Sequence, residues 1–429
     1  MGRSSSRTEN TVAVVLFFLL PLLASCINGN GDTAQPLAAP SELADEAVPP
    51  PEPEKDVVIT IGNLTDITGP SSNAMTVITM ALEDMVEYYN EQNLIPGVEL
   101  KVISYDEQAD PSRDIAGYEW LKESGADLIF TPIPFVPTIL KPKINKDEFM
   151  LFAFSGDTAT IEPPGYVFSL GTIPQHEAIT LLKWIAENDP DFPADRPAKI
   201  GGAAWTEGYS SSWFAGAEAY AKAHPDQFEW VGGYLTDFTF VWGAEVEALK
   251  DCDYVYPSVV LHTFVREYRA AGYTGKFICT SAQTAFFGLI YDSNLWEEID
   301  KSLFILPAKW WNEEGTMINV IRDLLNEKRP NDVEEIMQKG MGYLAGVIVD
   351  LMLSIIANAV DAVGPENFNS KALHDAAESF SRTIDGVPRY SFGEDKRWMI
   401  DLYAVYEASS VDEDIFRIDP EWLPVVTTP

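Results

Sequence analysis

The sequence predicts an α/β protein of two lobes, each built on a mostly parallel central sheet. Two observations predict this. Short β-branched runs alternate with helical spacings, and the alternation restarts near residue 199 as a second series of similar size. The length agrees: 429 residues exceed one small module and suit two or three domains.

The first series opens with a β-branched run at residues 57–61. Residues 72–92 carry Met75, Ile78, Leu82, Met85 and Tyr89 at helical spacing. Residues 99–105 read as a strand, 113–124 as a helix, 127–131 as a strand and 150–154 as a buried strand. The second series runs strand 199–205, helix 211–224, strand 228–235, helix 242–250, strand 254–256, helix 262–271 and strand 276–280. Residues 303–306 read as a strand entering a crossover. Helices follow at 315–327 and 333–363, then a hairpin of 389–392 and 398–406. Residues 344–360 are nearly all apolar, but Asp350 and recurrent Gly, Ser and Asn fit a buried helix better than a membrane span.

The N-terminus reads as an export signal. Arg3 and Arg7 precede a short apolar run from Val12 to Leu20, and Leu23-Ala24-Ser25-Cys26 looks like a bacterial lipobox. Residues 1–25 are then a lipoprotein signal peptide, with Cys26 the lipidated residue. Residues 26–55 form a Pro- and Glu-rich tether too polar to order itself. The folded body starts near Asp56.

Composition excludes several classes. With 66 acids against 29 bases the net charge is −37, which opposes nucleic acid and anionic membrane faces. Residues 1–55 hold seven of the acids and three of the bases, so −33 of that charge belongs to the body. Four His and three Cys are few for a multi-site metal protein, and no metal site or cofactor is expected. There is no G-x-G-x-x-G after a strand, no P-loop and no G-x-S-x-G, and His176-Glu177 lacks the second His of H-E-x-x-H. The chain therefore reads as a non-enzyme. Cys252 and Cys279 are expected on adjacent strands at a stagger that opposes a disulfide.

Four segments together carry a family resemblance. They are Ile61-Gly62-Asn63-Leu64-Thr65-Asp66-Ile67-Thr68-Gly69-Pro70, Asp106-Glu107-Gln108-Ala109-Asp110-Pro111, Ala204-Trp205-Thr206-Glu207-Gly208-Tyr209-Ser210 and Tyr268-Arg269-Ala270-Ala271-Gly272-Tyr273. In this order and spacing the chain resembles type I periplasmic binding proteins, closest to the leucine/isoleucine/valine-binding branch serving ABC importers. The resemblance implies two Rossmann-like lobes joined by a three-crossing hinge. Lobe I would be 56–173 plus 308–385, and lobe II 174–307 plus 386–429. It further implies a small-molecule ligand held in the interlobe cleft, permease subunits of an importer as partners, a monomer, and an extracytoplasmic location with membrane contact only through Cys26. The same fold would also serve a ligand-sensing lipoprotein with a sensor-kinase partner, or an activator of peptidoglycan synthases.

The resemblance also implies the cleft residues by position. Ser155, Gly156, Asp157 and Thr158 fall where the family binds a ligand carboxylate. Asp66 and Asn73 lie on the first strand-end loop, with helix capping as the competing reading. Phe135, Trp205 and Tyr209 would line the pocket, with Ser281 and Gln283 after the strand at 276–280. Three departures weigh against an ordinary branched-chain amino acid: Asp157 where a Thr donor is expected, Phe135 near a small hydroxyl position, and Ser281 where an acidic residue holds the α-ammonium group. The expected ligand is a small organic molecule: an amino acid, an amide, or an aromatic or apolar compound.

Overall fold

Every strand of the first series, read in the sequence as parallel, joins one sheet. The computed structural model describes residues 57–429; the signal peptide, Cys26 and the tether lie outside the described residues. Strands β1 (Val57–Thr65), β2 (Val98–Asp106), β3 (Leu128–Thr131), β4 (Leu151–Ser155) and β5 (Val167–Thr172) pair in the order β2-β1-β3-β4-β5, all parallel. β3 and β5 are buried throughout and β1 and β4 for most of their length, as a sheet covered on both faces requires, while the edge strand β2 is largely half-buried. β5 escaped the sequence reading, as did the following helix Pro174–Asn188. Gly171 interrupts the strand's apolar run, and a Cβ there would lie 1.8 Å from the Phe154 carbonyl oxygen.

The second sheet contains β6 (Ala198–Trp205), β7 (Phe228–Thr236), β8 (Tyr254–Tyr256), β9 (Lys276–Thr280) and β10 (Leu303–Leu306) as parallel strands. A two-stranded ribbon, β11 (Ser381–Ile384) and β12 (Val387–Ser391), stands apart. The second sheet is then completed by antiparallel β13 (Leu402–Ser409), β14 (Asp414–Arg417) and β15 (Leu423–Pro424), giving the order β14-β13-β10-β9-β8-β6-β7 with β15 on β13.

The chain passes between the lobes three times: after β5, after β10 and between β12 and β13. The hairpin expected from 389–392 and 398–406 forms at its closed end: Tyr390 bridges Ile400, the Ser391 N–H donates to the Met399 carbonyl and the Asp401 N–H to the Arg389 carbonyl, both at 2.9 Å, and Gly393 and Lys396 exchange bonds at the turn. β12 pairs with β11 as well, while Trp398 bridges Ser169 of β5 and β13 joins β10. After β12 the chain next enters the second sheet at Leu402, the start of β13. The turn Asp385-Gly386, both at positive φ, closes the β11–β12 ribbon and gives β12 this second partner.

The long helix expected over 333–363 is broken. Val333–Gln338 ends at Gly340, whose φ is +85°, and the chain restarts as Gly346–Val363. A Cβ at Gly340 would lie 1.9 Å from the Thr284 carbonyl oxygen, so glycine is required. Among the described residues the stretch Tyr343–Val363 is the one helix long and apolar enough to cross a membrane, yet it is 83% buried. It packs on β5 and on helices Ser72–Glu91, Thr316–Lys328 and Ser370–Glu378, as a core helix of lobe I. Cys252 and Cys279 are buried free thiols, and burial raises the Cys252 pKa to about 12.

Candidate functional site

The carboxyl ends of both sheets face one cavity of about 140 Å³, the place where open α/β sheets bind ligands. Lobe I supplies Ser71, Met75 and Ile78 from the first loop and helix. It adds Ile133, Pro134 and Phe135 after β3, Phe154 and Ser155 from β4, and Thr172 from β5. The break at Gly340 places Met341 and Gly342 on the same wall. Lobe II supplies Trp205, Glu207, Tyr209, Phe238, Ser258, Val260, Ser281 and Phe286. The wall is mostly apolar, with a few hydroxyls, and holds no Lys, Arg or His.

Five of the residues singled out in the sequence come together on this wall: Phe135, Ser155, Trp205, Tyr209 and Ser281. The other six do not line it. Asp66 is buried, and its carboxylate accepts from the Gly69 N–H at 2.5 Å and from the Ser71 N–H and hydroxyl at 2.8 and 2.7 Å. It braces the loop, which is the capping alternative. Asn73 is exposed in the first turn of Ser72–Glu91. Gly156 is buried under Thr160. Asp157 caps the short helix Thr158–Ile161, accepting from the Thr160 N–H and hydroxyl, both at 2.7 Å. The repulsion expected between Asp157 and a ligand carboxylate therefore loses its geometric basis. Thr158 accepts from Gln175 at 3.1 Å. Gln283 closes a capping box with Thr280 and donates to the Pro257 carbonyl at 3.1 Å.

Trp205 forms the lobe II rim. Its Nε1 donates to the Thr239 carbonyl at 2.7 Å, and its ring lies 5.1 and 5.2 Å from those of Phe238 and Phe240. Those two rings are half exposed and make an apolar lip. Glu207 caps helix Gly208–Ala223 through the N–H groups of Tyr209 and Ser210, so its carboxylate is occupied.

One residue the sequence reading passed over organises the floor. Glu177, fully buried in the first turn of helix Pro174–Asn188, lies 2.5 Å from the Tyr209 hydroxyl and accepts from Ser281 at 3.3 Å. Burial raises its pKa to about 8, against the lowering effect of its hydrogen bonds. Proton counting agrees. The Gln283 Oε1 is only an acceptor and takes the Thr280 proton at 2.7 Å. Thr280 then accepts the single Tyr209 proton at 2.9 Å. The short Tyr209–Glu177 contact is left to the proton of a neutral Glu177 carboxyl. The floor is thus an uncharged chain of hydrogen bonds. A charged residue in the first turn after an apolar run was the available signal, and it was hidden because β5 was not recognised.

Comparison with known proteins agrees with the fold. Residues 58–412 match the family model described as periplasmic binding protein. No curated protein matches the chain. Among solved structures it resembles a branched chain amino acid ABC transporter protein of Thermus thermophilus with bound valine. The identity is 16%, the coverage 86% of this chain and 96% of the other, and the TM-score 0.73. A fatty acid ABC transporter substrate-binding protein of Thermomonospora curvata gives 15%, 86%, 96% and 0.70. A solute-binding protein of R. palustris in complex with 4-hydroxybenzoate gives 13%, 86%, 97% and 0.70.

Proposed function

The chain belongs to the periplasmic binding protein family, and from that premise we propose that it is the solute receptor of an ABC importer, taking a small apolar or aromatic organic molecule. The family is one of binding proteins rather than enzymes, and it implies an extracytoplasmic location. The apolar wall carries the ligand reading. Met75, Ile78, Ile133, Phe135, Trp205 and Phe286 surround the cavity, and polar groups are few. Ser71, Ser155 and Ser258 supply hydroxyls to orient one polar end of the ligand. The Ser258 oxygen is buried with no protein partner. A neutral Glu177 beneath Ser281 suits a ligand that brings no ammonium group. Of the solved relatives, the fatty acid protein and the 4-hydroxybenzoate complex fall in this ligand class, and the valine complex falls outside it.

Binding would close the lobes about the three passages, and the closed form would be what the permease reads. Cys26 would carry the lipid, with residues 26–55 as reach between membrane and body.

Mass spectrometry of ligand co-purified with the protein tests the reading. It is paired with thermal shifts against aromatic acids, amides, fatty acids and amino acids. The expected result is an apolar or aromatic solute that raises the melting temperature, because it binds only the native state. Leucine, isoleucine or valine binding at micromolar strength would overturn the ligand class. The absence of any bound solute or shift would overturn the receptor reading.

A further inference from the structure

A second cavity, of about 480 Å³, shares no wall residue with the cleft. It lies where the passage after β10, the β11–β12 ribbon and the segment between β14 and β15 meet. Its wall holds several charged side chains, and almost all have partners. Lys309 pairs with Asp385 at 2.7 Å. Glu314 pairs with Arg322 at 3.1 Å. Arg417 lies 3.5 Å from Glu313 and donates to the carbonyls of Asp419, Pro420 and Glu421.

The exposed Glu421 is one exception among the described residues, and Arg389 is the other. It is 3% exposed, and its Nε and Nη1 are buried with no hydrogen-bond partner. Among the described residues no carboxylate pairs with it. Its guanidinium lies 4.3 Å from the centre of the Trp422 ring, and that of Arg417 lies 4.4 Å from the same ring. An aromatic face attracts a cation but neither accepts its N–H hydrogen bonds nor cancels its charge. The two guanidinium groups gather at this one ring, on a wall that also carries Glu313, Glu314, Asp385 and Glu421, and of the two only Arg417 has a carboxylate beside it. A buried, unpaired cation of this kind calls for an anion.

We propose that this cavity is a second ligand site, which binds a monocarboxylate on Arg389. A carboxylate matches the fork of a guanidinium with two parallel hydrogen bonds. Glu314 and Glu421 on the wall oppose a more highly charged anion such as phosphate. Val387, Ile384 and Trp422 give an apolar stem a place to lie. The occupant would touch both the second passage between the lobes and lobe II, so its binding would bias the hinge.

The test uses the full chain with acetate as probe. Sodium chloride at equal ionic strength is the control and inorganic phosphate the competing arm. Acetate at about ten times its dissociation constant should raise the melting temperature by about 2 °C. Saturation-transfer NMR on the unmodified protein should show acetate bound. Arg389→Gln should lose both responses, and Arg389→Lys should bind acetate about tenfold more weakly, because an ammonium group lacks the fork. If Arg389→Gln does not fold, the lysine variant and the NMR signal carry the test. The proposal falls if phosphate binds as well as acetate, if acetate gives no signal, or if both folded variants respond like the parent. Arg389→Gln leaves every cleft residue in place, so a cleft solute that still raises the variant's melting temperature distinguishes an empty second cavity from an empty cleft.

Discussion

Glu177 ties stability to pH in a direction opposite to the usual surface carboxylate. Its pKa rises from 4.5 to about 8 on folding. Below about pH 4.5 both native and unfolded states hold the proton. Between about 4.5 and 8 only the native state does, so stability is lost as pH rises through that window and is level above it. The slope is at most about 1.4 kcal/mol per pH unit. Glu177→Gln removes it. Urea denaturation at pH 5 and pH 8 should show the variant gaining up to about 4 kcal/mol relative to the parent between the two pH values. At this scale the sequence was read in part. Phe135, Ser155, Trp205, Tyr209 and Ser281 stand at strand ends, and strand ends are where the fold puts its cleft. Asp66, Asp157 and Gln283 also stand near strand ends, but their side chains turn back to satisfy backbone N–H groups. Spacing does not distinguish a side chain that caps from one that faces a cavity.

The elements show the same division. Strands with unbroken apolar runs, such as β3, β4 and β10, were legible because they are buried on both faces. The break after Gln338 was not, because its cause is a distant carbonyl. Gly340 touches Thr284, which precedes it by 56 residues in the chain. Gly340→Ala should therefore cost about 3 kcal/mol or more, from the positive φ and the close approach together. The measurement is a lower urea midpoint at unchanged m-value. The same variant should weaken cleft binding, since Met341 and Gly342 follow directly and line the cavity. The β11–β12 pairing was likewise hidden. Asp385-Gly386 is a turn signal, but the strands beside it are short and β11 is mostly exposed.

On the scale of the whole molecule, the acidity and the two-lobed plan were both readable. The alternation restarts because the second sheet restarts, and −33 of the charge sits on residues 56–429. That charge repels itself in the compact state. Added sodium chloride, from low ionic strength to about 0.15 M, should raise the melting temperature as the screening length falls to about 8 Å. A melting temperature that does not change with salt would mean that local ion pairs already balance the repulsion. The three passages between the lobes have a separate consequence. Neither lobe is a continuous stretch of chain, since lobe I takes residues from before β6 and after β10, and lobe II from β6 to β10 and from β13 onward. A protease that nicks one passage leaves two covalent links, so the halves stay together and the cleft keeps both walls. By the same topology, no truncation yields a free lobe, and a working single-lobe fragment would have to be made by rejoining the chain in a new order.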